Sequence, residues 1–277
     1  MAGLSLDPTQ LDRYSRHIIM DEIGPEGQAK LLDSSVLVIG AGGLGSPIIQ
    51  YLAAAGIGTL GIADDDVVER SNLQRQIIHG DSDVGEPKVE SAQRYVERIN
   101  PDIEVRLHEI RVEPDNVENL ISEYDVVVDG SDNFRTRYLV NDACTLSGTP
   151  FSHGAIYKFE GQAITFPAAD GENQGPCYRC LFPEAPPEDE VADCATTGVL
   201  GVLPGTLGCI QATEAMKLVL GFGEVLDGRL LVYDAADMTF DEVPVERNPE
   251  CPVCGEDPIT SIENVEYAAE GCRVSAD

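Results

Sequence analysis

Two pairs of cysteines have the spacing of a metal site. Cys177 and Cys180 form one Cys-x-x-Cys pair, and Cys251 and Cys254 form a second. Four thiolates from two such pairs complete a tetrahedral site with no open position, which suits structural zinc better than catalytic zinc. The alternative is redox chemistry, but a redox Cys-x-x-Cys centre needs only one pair. The sequence therefore predicts a Zn²⁺ site formed by all four residues.

A glycine-rich stretch indicates a phosphate site. Gly40, Gly42 and Gly45 match the pattern Gly-x-Gly-x-x-Gly, between a predicted strand and a predicted helix. In this context the glycines permit a tight turn and let backbone N–H groups approach phosphate. The next predicted strand ends at Asp64 and Asp66, close to the offset of about 20 residues at which an acidic residue binds a ribose hydroxyl. By itself the fingerprint favours a nicotinamide or flavin enzyme.

The residues that follow this acidic pair do not fit a dehydrogenase. The segment SNLQRQ (71–76) and Lys88 in the segment EPKVESA supply amide, guanidinium and ammonium donors. Such donors beside a ribose-binding acid suit a triphosphate. No Gly-x-x-x-x-Gly-Lys-Ser/Thr motif occurs in the chain, so a P-loop is excluded as the phosphate holder. The alternative is that Arg75 and Lys88 are ordinary solvated surface cations.

Alternating strands and helices must position these residues. Repeated units of strand and helix imply a Rossmann-like, doubly wound α/β sheet that is mostly parallel. Extended segments near the C-terminus continue it into a mixed or antiparallel part that carries the four-cysteine knuckle. The predicted strands cover 34–40, 59–66, 103–110, 124–133, 150–156, 160–167 and 229–245, and the predicted helices cover 45–58, 87–100, 133–148 and 201–221.

One domain is predicted to hold both sites. No composition break forces a second domain, so residues 1–257 are assigned to a single domain, followed by an acidic tail at 258–277. Residues 171–198 are rich in proline and acidic residues, and we expect them to form a long exposed loop or crossover. Within the domain we expect an N-terminal helical segment (1–33), a nucleotide-binding half (34–150) and a half that contains the zinc site (151–257).

Charge and hydropathy exclude several classes of function. The chain of 277 residues has a formal net charge of −31, with 49 acidic and 18 basic residues. Such a surface repels a nucleic-acid backbone and suits a cytoplasm of high salt, where screening weakens self-repulsion. No apolar run approaches the length of about 18 residues that spans a bilayer, and no export signal is recognised. We expect a cytoplasmic protein without membrane or nucleic-acid contacts.

Taken together, these motifs resemble the MoeB/ThiF/ubiquitin-activating family. The segments RYSRHI, GAGGLGS, ADDD, SNLQRQ, GEPKVESA and DGSDN, both cysteine pairs and an isolated cysteine between them follow the order of that family. The resemblance runs from Arg13 to Cys254 and is closest to the archaeal activating enzymes of small ubiquitin-like modifiers. It implies that ATP and Mg²⁺ are used to adenylate the C-terminal glycine of a ubiquitin-like modifier or sulfur-carrier protein ending in Gly-Gly. It also implies a homodimer.

The resemblance carries residue roles with it. Asp132 is similar to the magnesium-binding aspartate of the family, although an aspartate at this point could simply cap the following helix. Arg75 and Lys88 would neutralise the triphosphate in the transition state. Nucleotide binding is assigned to Gly43, Asp64, Asp66, Ser71, Asn72, Leu73, Gln74, Arg75, Lys88, Asp132 and Asn133.

Two further residues complete the implied catalytic set. Cys194, in the segment DEVADCATTG, matches the catalytic cysteine of the family, where a thiolate takes the acyl group as a thioester or joins persulfide chemistry. Arg16 matches an arginine that reaches the triphosphate of the neighbouring subunit. An ordinary amphipathic surface helix explains Arg16 equally well. A nicotinamide oxidoreductase and a non-catalytic nucleotide-binding scaffold remain the alternative functions.

Overall fold

The computed structural model describes residues 6–168, 175–185, 198–263 and 265–267. They form one eight-stranded sheet in the order β3-β2-β1-β4-β5-β6-β7-β8. The first five strands of that order are parallel, and the last three pairings are antiparallel, as predicted. The strands are β1 (Ser35–Ile39), β2 (Thr59–Ala63), β3 (Glu104–His108), β4 (Val126–Asp129), β5 (Phe151–Tyr157), β6 (Glu160–Phe166), β7 (Arg229–Asp234) and β8 (Thr239–Pro244).

Helices cover both faces of the sheet. The longest, α9, packs on α4 and across β4, β5 and β6. Its turns, and those of α4, carry the small and branched apolar residues that such close packing requires. The helices are α1 (Pro8–Arg13), α2 (Ser15–Ile18), α3 (Gly24–Asp33), α4 (Gly45–Ala55), α5 (Lys88–Ile99), α6 (Val117–Ile121), α7 (Phe134–Ser147), α8 (Tyr178–Leu181) and α9 (Val202–Leu220).

Strand β1 divides the apolar core into two layers. Val36 and Val38 face a core cluster that includes α4 and α9, while Leu37 and Ile39 face a second cluster that includes α6 and α7. Because side chains alternate along a strand, a strand covered on both faces is apolar throughout. The continuous run SVLVI in β1 has this composition.

The structure describes residues 175–185 and residue 198 of the long polar stretch at 171–198. Residues 175–185 contain the short helix α8, and Tyr178 is buried in the second core layer. The expectation of an exposed loop is wrong there, because Arg179 makes two 2.7 Å hydrogen bonds to the buried carboxylate of Asp142. Residues 169–174 and 186–197 lie outside the described part of the chain.

The start of the predicted acidic tail packs against the domain. Ile262 is buried in the second core layer. The Tyr267 hydroxyl donates to Asp142 Oδ2 at 3.0 Å. The boundary at residue 257 stays a prediction.

Candidate nucleotide site and cysteine cluster

A cavity of about 370 Å³ opens at the carboxyl ends of β1, β2 and β4 and is bounded on one side by β5. In an open α/β sheet this edge, beside the point where the strand order reverses, is where ligands bind. The lining includes seven of the residues assigned to nucleotide binding from the sequence, namely Gly43, Asp64, Asp66, Arg75, Lys88, Asp132 and Asn133.

The turn from β1 into α4 requires glycine at both ends. Gly40 has a φ of +91°, a backbone conformation that other residues rarely adopt. A Cβ on Gly45 would lie only 1.8 Å from the carbonyl oxygen of Gly40. The backbone N–H of Ala41, between them, donates to Asp64 Oδ2 at 2.7 Å. The acidic residue at the end of β2 therefore holds the glycine loop as well as lining the cavity.

Lys88 and two aspartates form a charged group at one wall of the cavity. The Lys88 ammonium lies 2.7 Å from Asp66 Oδ2 and 3.9 Å from Asp64 Oδ1. Burial raises the pKa of Asp64, and Lys88 acts against that rise. Burial also lowers the pKa of Lys88, but the carboxylates of Asp64 and Asp66 outweigh it, so the net pKa is raised. Lys88 is 5% exposed, which excludes the interpretation of a solvated surface cation.

Arg75 faces the cavity and is held from behind by the segment that precedes it. Asn72 Oδ1 accepts a hydrogen bond from Arg75 Nη2 at 2.9 Å, so Asn72 orients Arg75 without lining the cavity itself. Gln74 instead packs on α9, where a Cβ on Gly201 would lie 2.5 Å from its side-chain oxygen. Ser71 and Leu73 are also outside the lining formed by the described residues.

Asp132 is free to face the cavity because its neighbour caps the helix. Asn133 Oδ1 accepts from the backbone N–H of Thr136 at 2.8 Å, which makes Asn133 the N-cap of α7. The alternative role of Asp132 as that cap is therefore wrong. The Asp132 carboxylate is exposed at the lip of the cavity, where a phosphate-bound Mg²⁺ could use it.

Sequence reasoning did not assign several polar residues of this cavity. Gln76 Oε1, Ser131 Oγ and Arg137 Nε line it, are buried and have no hydrogen-bond partner within the described residues. Buried polar atoms without partners point to groups that a ligand supplies. Gln76 belongs to the recognised segment SNLQRQ and could have been found there. Arg137 enters the cavity only through the first turns of α7, which the sequence does not reveal.

The four predicted cysteine ligands lie together, away from this cavity. The sulfur atoms of Cys177, Cys180, Cys251 and Cys254 all lie within 4.8 Å of one another. Cys177 Sγ is 3.5 Å from Cys251 Sγ, and Cys180 Sγ is 3.3 Å from Cys254 Sγ. These separations exceed a disulfide bond of about 2.05 Å. A closed set of four sulfurs without oxygen or nitrogen ligands fits structural zinc.

The four thiols share hydrogen bonds that lower the pKa of Cys180 and Cys251 and raise the pKa of Cys177 and Cys254. The Cys177 thiol lowers the pKa of Cys180, and the backbone N–H of Asn248, 3.3 Å from Cys180 Sγ, acts in the same direction. The second pair is braced by Arg247, whose Nε donates to the Cys254 carbonyl at 2.8 Å. Zinc binds cysteine in its thiolate form, so metal binding at this cluster would release protons.

The two remaining catalytic candidates are not part of this cavity as the structure describes it. Arg16 lies on α2, is exposed, and is outside the lining that the described residues form. Cys194 falls in the segment outside the described residues. Two further cysteines of the described residues lie on helices, Cys144 buried in α7 and Cys209 partly buried in α9.

The fold and these two sites define an α/β protein with a candidate nucleotide cavity and a separate four-cysteine cluster that fits a metal ion. The chain belongs to the ThiF family, whose model matches residues 14–253. It is 65% identical over 274 residues to the SAMP-activating enzyme E1 of Haloferax volcanii, covering 99% of both chains. It is 51% identical over 262 residues to the sulfur carrier protein adenylyltransferase of Thermus thermophilus, covering 94% of this chain and 96% of that one.

Solved structures agree on the fold. A crystal structure of Escherichia coli MccB with MccA-N7isoASN superposes with a TM-score of 0.78 at 22% identity, covering 92% of this chain and 77% of that one. No helix within the described residues has the length and apolar character needed to cross a membrane.

Proposed function

We propose that this protein uses ATP to adenylate the C-terminal glycine carboxylate of ubiquitin-like modifiers or sulfur-carrier proteins that end in Gly-Gly. The observation that carries this proposal is the grouping of Asp64, Lys88, Arg75 and Asp132 around a glycine loop in one cavity. The two relatives above, an activating enzyme and an adenylyltransferase, support the same reaction.

The reaction depends more on binding the phosphate groups and positioning the reacting atoms than on acid–base chemistry. A carboxylate oxygen of the modifier attacks the α-phosphorus of ATP, the bond to the bridging oxygen breaks, and pyrophosphate leaves with the electron pair. Arg75 and Lys88 offset the negative charge that grows on the phosphate oxygens. Asp64 accepts from the ribose, and Asp132 would hold Mg²⁺, which would neutralise negative charge on the phosphates. In this role Lys88 exchanges part of its contact with Asp66 for phosphate.

The two halves of the chain have different roles in the proposed reaction. The half at 34–150 binds the nucleotide, and the half at 151–257 binds the modifier and Zn²⁺ at the four cysteines. Two chains form a homodimer in which Arg16 reaches the partner subunit's cavity, consistent with its exposure on α2. The reaction takes place in the cytoplasm, and its products serve protein conjugation, molybdopterin synthesis and tRNA thiolation.

Exchange of labelled pyrophosphate into ATP tests the proposal. We expect exchange that depends on a protein ending in Gly-Gly and that disappears when its last glycine is removed. Each ubiquitin-like protein of the source proteome is assayed in turn. A nicotinamide oxidoreductase would show no exchange and would bind reduced nicotinamide instead, and a scaffold would bind ATP without exchange. Either outcome would reject adenylation.

Cys194 is proposed to act after adenylation, because the sequence places it apart from the nucleotide motifs. Cys194→Ala is expected to retain pyrophosphate exchange within about twofold while losing conjugation or sulfur transfer, as a nucleophile that acts in a later step requires. Equal loss of exchange in a variant with unchanged thermal unfolding would contradict this order of steps.

A further inference from the structure

The peptide groups on both sides of Ala41 are held by side chains. Its N–H donates to Asp64, and its carbonyl oxygen lies 2.9 Å from His79 Nε2. His79 is 7% exposed and is not among the described residues that line the cavity, so it contacts the loop from behind. Gly42, on the other side of the same peptide group, does line the cavity.

The hydrogen bonds of His79 determine its tautomer. A carbonyl oxygen can only accept, so Nε2 must carry a proton. On the opposite side of the ring, Nδ1 lies 2.7 Å from Ser91 Oγ, and that hydroxyl lies 3.0 Å from Asp83 Oδ2. Ser91 and Asp83 therefore fix the plane of the imidazole and aim Nε2 at Ala41.

The charges around His79 favour the neutral ring with a single proton. Burial lowers the pKa of His79, and Lys88 and Arg94 act in the same direction, whereas the Ala41 carbonyl and Asp83 oppose them. The single proton of the Ser91 hydroxyl is donated either to Nδ1 of the neutral ring or to Asp83 beside a protonated Nδ1, and in both arrangements Nε2 donates to the Ala41 carbonyl.

The direction of one N–H group follows from this contact. In a planar trans peptide, the carbonyl and the following N–H point in opposite directions. Because the Ala41 carbonyl points at His79, the Gly42 N–H points away from it, on the side of the cavity. No acceptor for the Gly42 N–H occurs within the described residues. A free N–H at a glycine loop is the group that contacts phosphate in dinucleotide and nucleotide sites.

We propose that His79 is a positioning residue for ATP, which fixes the Ala41–Gly42 peptide group so that the Gly42 N–H donates to a phosphate oxygen. The inference rests on the proposed use of ATP. It predicts that the polar group at the position of Nε2, and no other property of the histidine, sets the affinity for the nucleotide.

Two amide variants separate this role from a general contribution to stability. In His79→Gln the side-chain NH₂ can reach the position of Nε2 and donate to Ala41, whereas in His79→Asn it reaches only the position of Nδ1. We expect His79→Asn to raise the Kd for ATP and Mg²⁺, measured by calorimetry, about tenfold, the loss of one hydrogen bond to a charged group. His79→Gln is expected to stay within about twofold of the unchanged protein.

The KM values in the exchange assay provide the second measurement. The KM for ATP should rise in His79→Asn while the KM for the modifier does not change, because the inference assigns His79 to the nucleotide alone. His108→Asn is the matched control, since His108 Nε2 makes a similar contact, 2.6 Å from the Tyr124 hydroxyl, on β3. It should lower thermal stability without changing either constant.

Three results would overturn the inference. They are equal ATP affinity in the two amide variants, a loss in both, or a fall in thermal stability without a change in Kd. Calorimetry needs no turnover, so absence of exchange in the unchanged protein would reject the proposed function while leaving the effect of His79 on ATP binding measurable.

Discussion

The nucleotide cavity and the cysteine cluster are built in different ways. The cavity lies where neighbouring strands end, and its glycine loop is held by the backbone and by buried side chains of the same half of the chain. The cluster joins two short segments 74 residues apart in sequence. Among the described residues, Val253 is the only fully buried apolar side chain that packs with the cysteines, and Leu146 and Ile259 are partly buried beside them.

The difference indicates where each region obtains its stability. The glycine loop packs against the apolar core through Ala41 and Leu44. The stability of the core therefore keeps the loop in its conformation without a ligand. Four cysteines with little apolar burial lack that support, and metal binding supplies folding free energy directly. The stability of the nucleotide cavity should therefore depend on the size and charge of its side chains, and the stability of the cysteine cluster on its metal.

The largest effect is expected from removing one metal ligand. Cys251→Ser should lower bound zinc below one per chain and reduce the free energy of unfolding by more than about 4 kcal/mol, as loss of a structural metal does. Elemental analysis and thermal unfolding check the two effects together. Cys209→Ser, a partly buried cysteine on α9 outside the cluster, is the control and should keep its zinc. A zinc-free but equally stable Cys251→Ser protein would place the stability of this region in its packing.

Adding a single methyl group to the glycine loop should destabilise the protein. In Gly45→Ala the Cβ would meet the Gly40 carbonyl oxygen at 1.8 Å, and neither backbone can move without disturbing β1 or α4. We expect a loss of about 3 kcal/mol in unfolding free energy, typical of overpacking, together with loss of ATP binding. Gly205→Ala on α9 is the matched control, because nothing lies within 4 Å of its Cβ. It should leave stability unchanged or raise it slightly.

Removing one charge from the same cavity should reduce the free energy of unfolding by a smaller amount, and the reduction should depend on pH. Lys88→Met removes the cation that counters burial of Asp64, so the already raised pKa of Asp64 should rise further. A carboxyl with a raised folded-state pKa loses stability as pH increases through that pKa. The variant should therefore lose about 2 kcal/mol at pH 8 and less at pH 5.

Chemical unfolding at both pH values measures this difference. Lys88 itself does not complicate the comparison, because its own folded-state pKa is raised and its charge is present throughout this range. Lys30→Met, at an exposed lysine on α3, is the control and should show no pH-dependent loss. An equal loss at pH 5 and pH 8 would mean that Lys88 contributes through packing of its methylene groups.

Elements with a clear local pattern were predictable from the sequence. The apolar run of β1 and the glycine fingerprint before α4 determined the strand, the turn and the helix together. The described part of residues 171–198 was not predictable in the same way. Its burial depends on a contact between Arg179 and Asp142, which are far apart in the chain, and composition alone suggested a solvated loop.

The candidate site likewise contains residues whose positions could be predicted from the sequence and residues whose positions could not. Asp64 and Asp66 follow a strand directly, so their place at the sheet edge could be read from the sequence. The contact of Lys88 with both aspartates and its burial depend on how α5 packs against β2. The segment SNLQRQ predicted the right region but not the orientation of each side chain, since Arg75 faces the cavity and Gln74 faces α9.

Mixed dimers test whether the cavity is complete within one chain. Asp132 lines it, whereas Arg16 is exposed on α2, so a site that needs both residues would draw Arg16 from the partner subunit. Arg16→Ala and Asp132→Ala homodimers should then both be nearly inactive in pyrophosphate exchange. A mixed dimer of the two variants would contain one site with both native residues and one with neither. Its activity should return to about half, as the symmetry of a shared site requires.

Purification through two different tags yields the mixed dimer, and its exchange rate per dimer is the measurement. If Arg16 served the cavity of its own chain, every site in the mixed dimer would lack one residue and no activity would return. A second mixed dimer, of Arg16→Ala with the unchanged chain, has one intact site whether Arg16 serves its own chain or its partner, and its activity, about half of the full value, calibrates the rate expected from one site per dimer. Recovery in the first mixture would mean that the nucleotide region, although its loop is held by its own core, depends on a second chain for one of its charges, as the cysteine cluster depends on its metal.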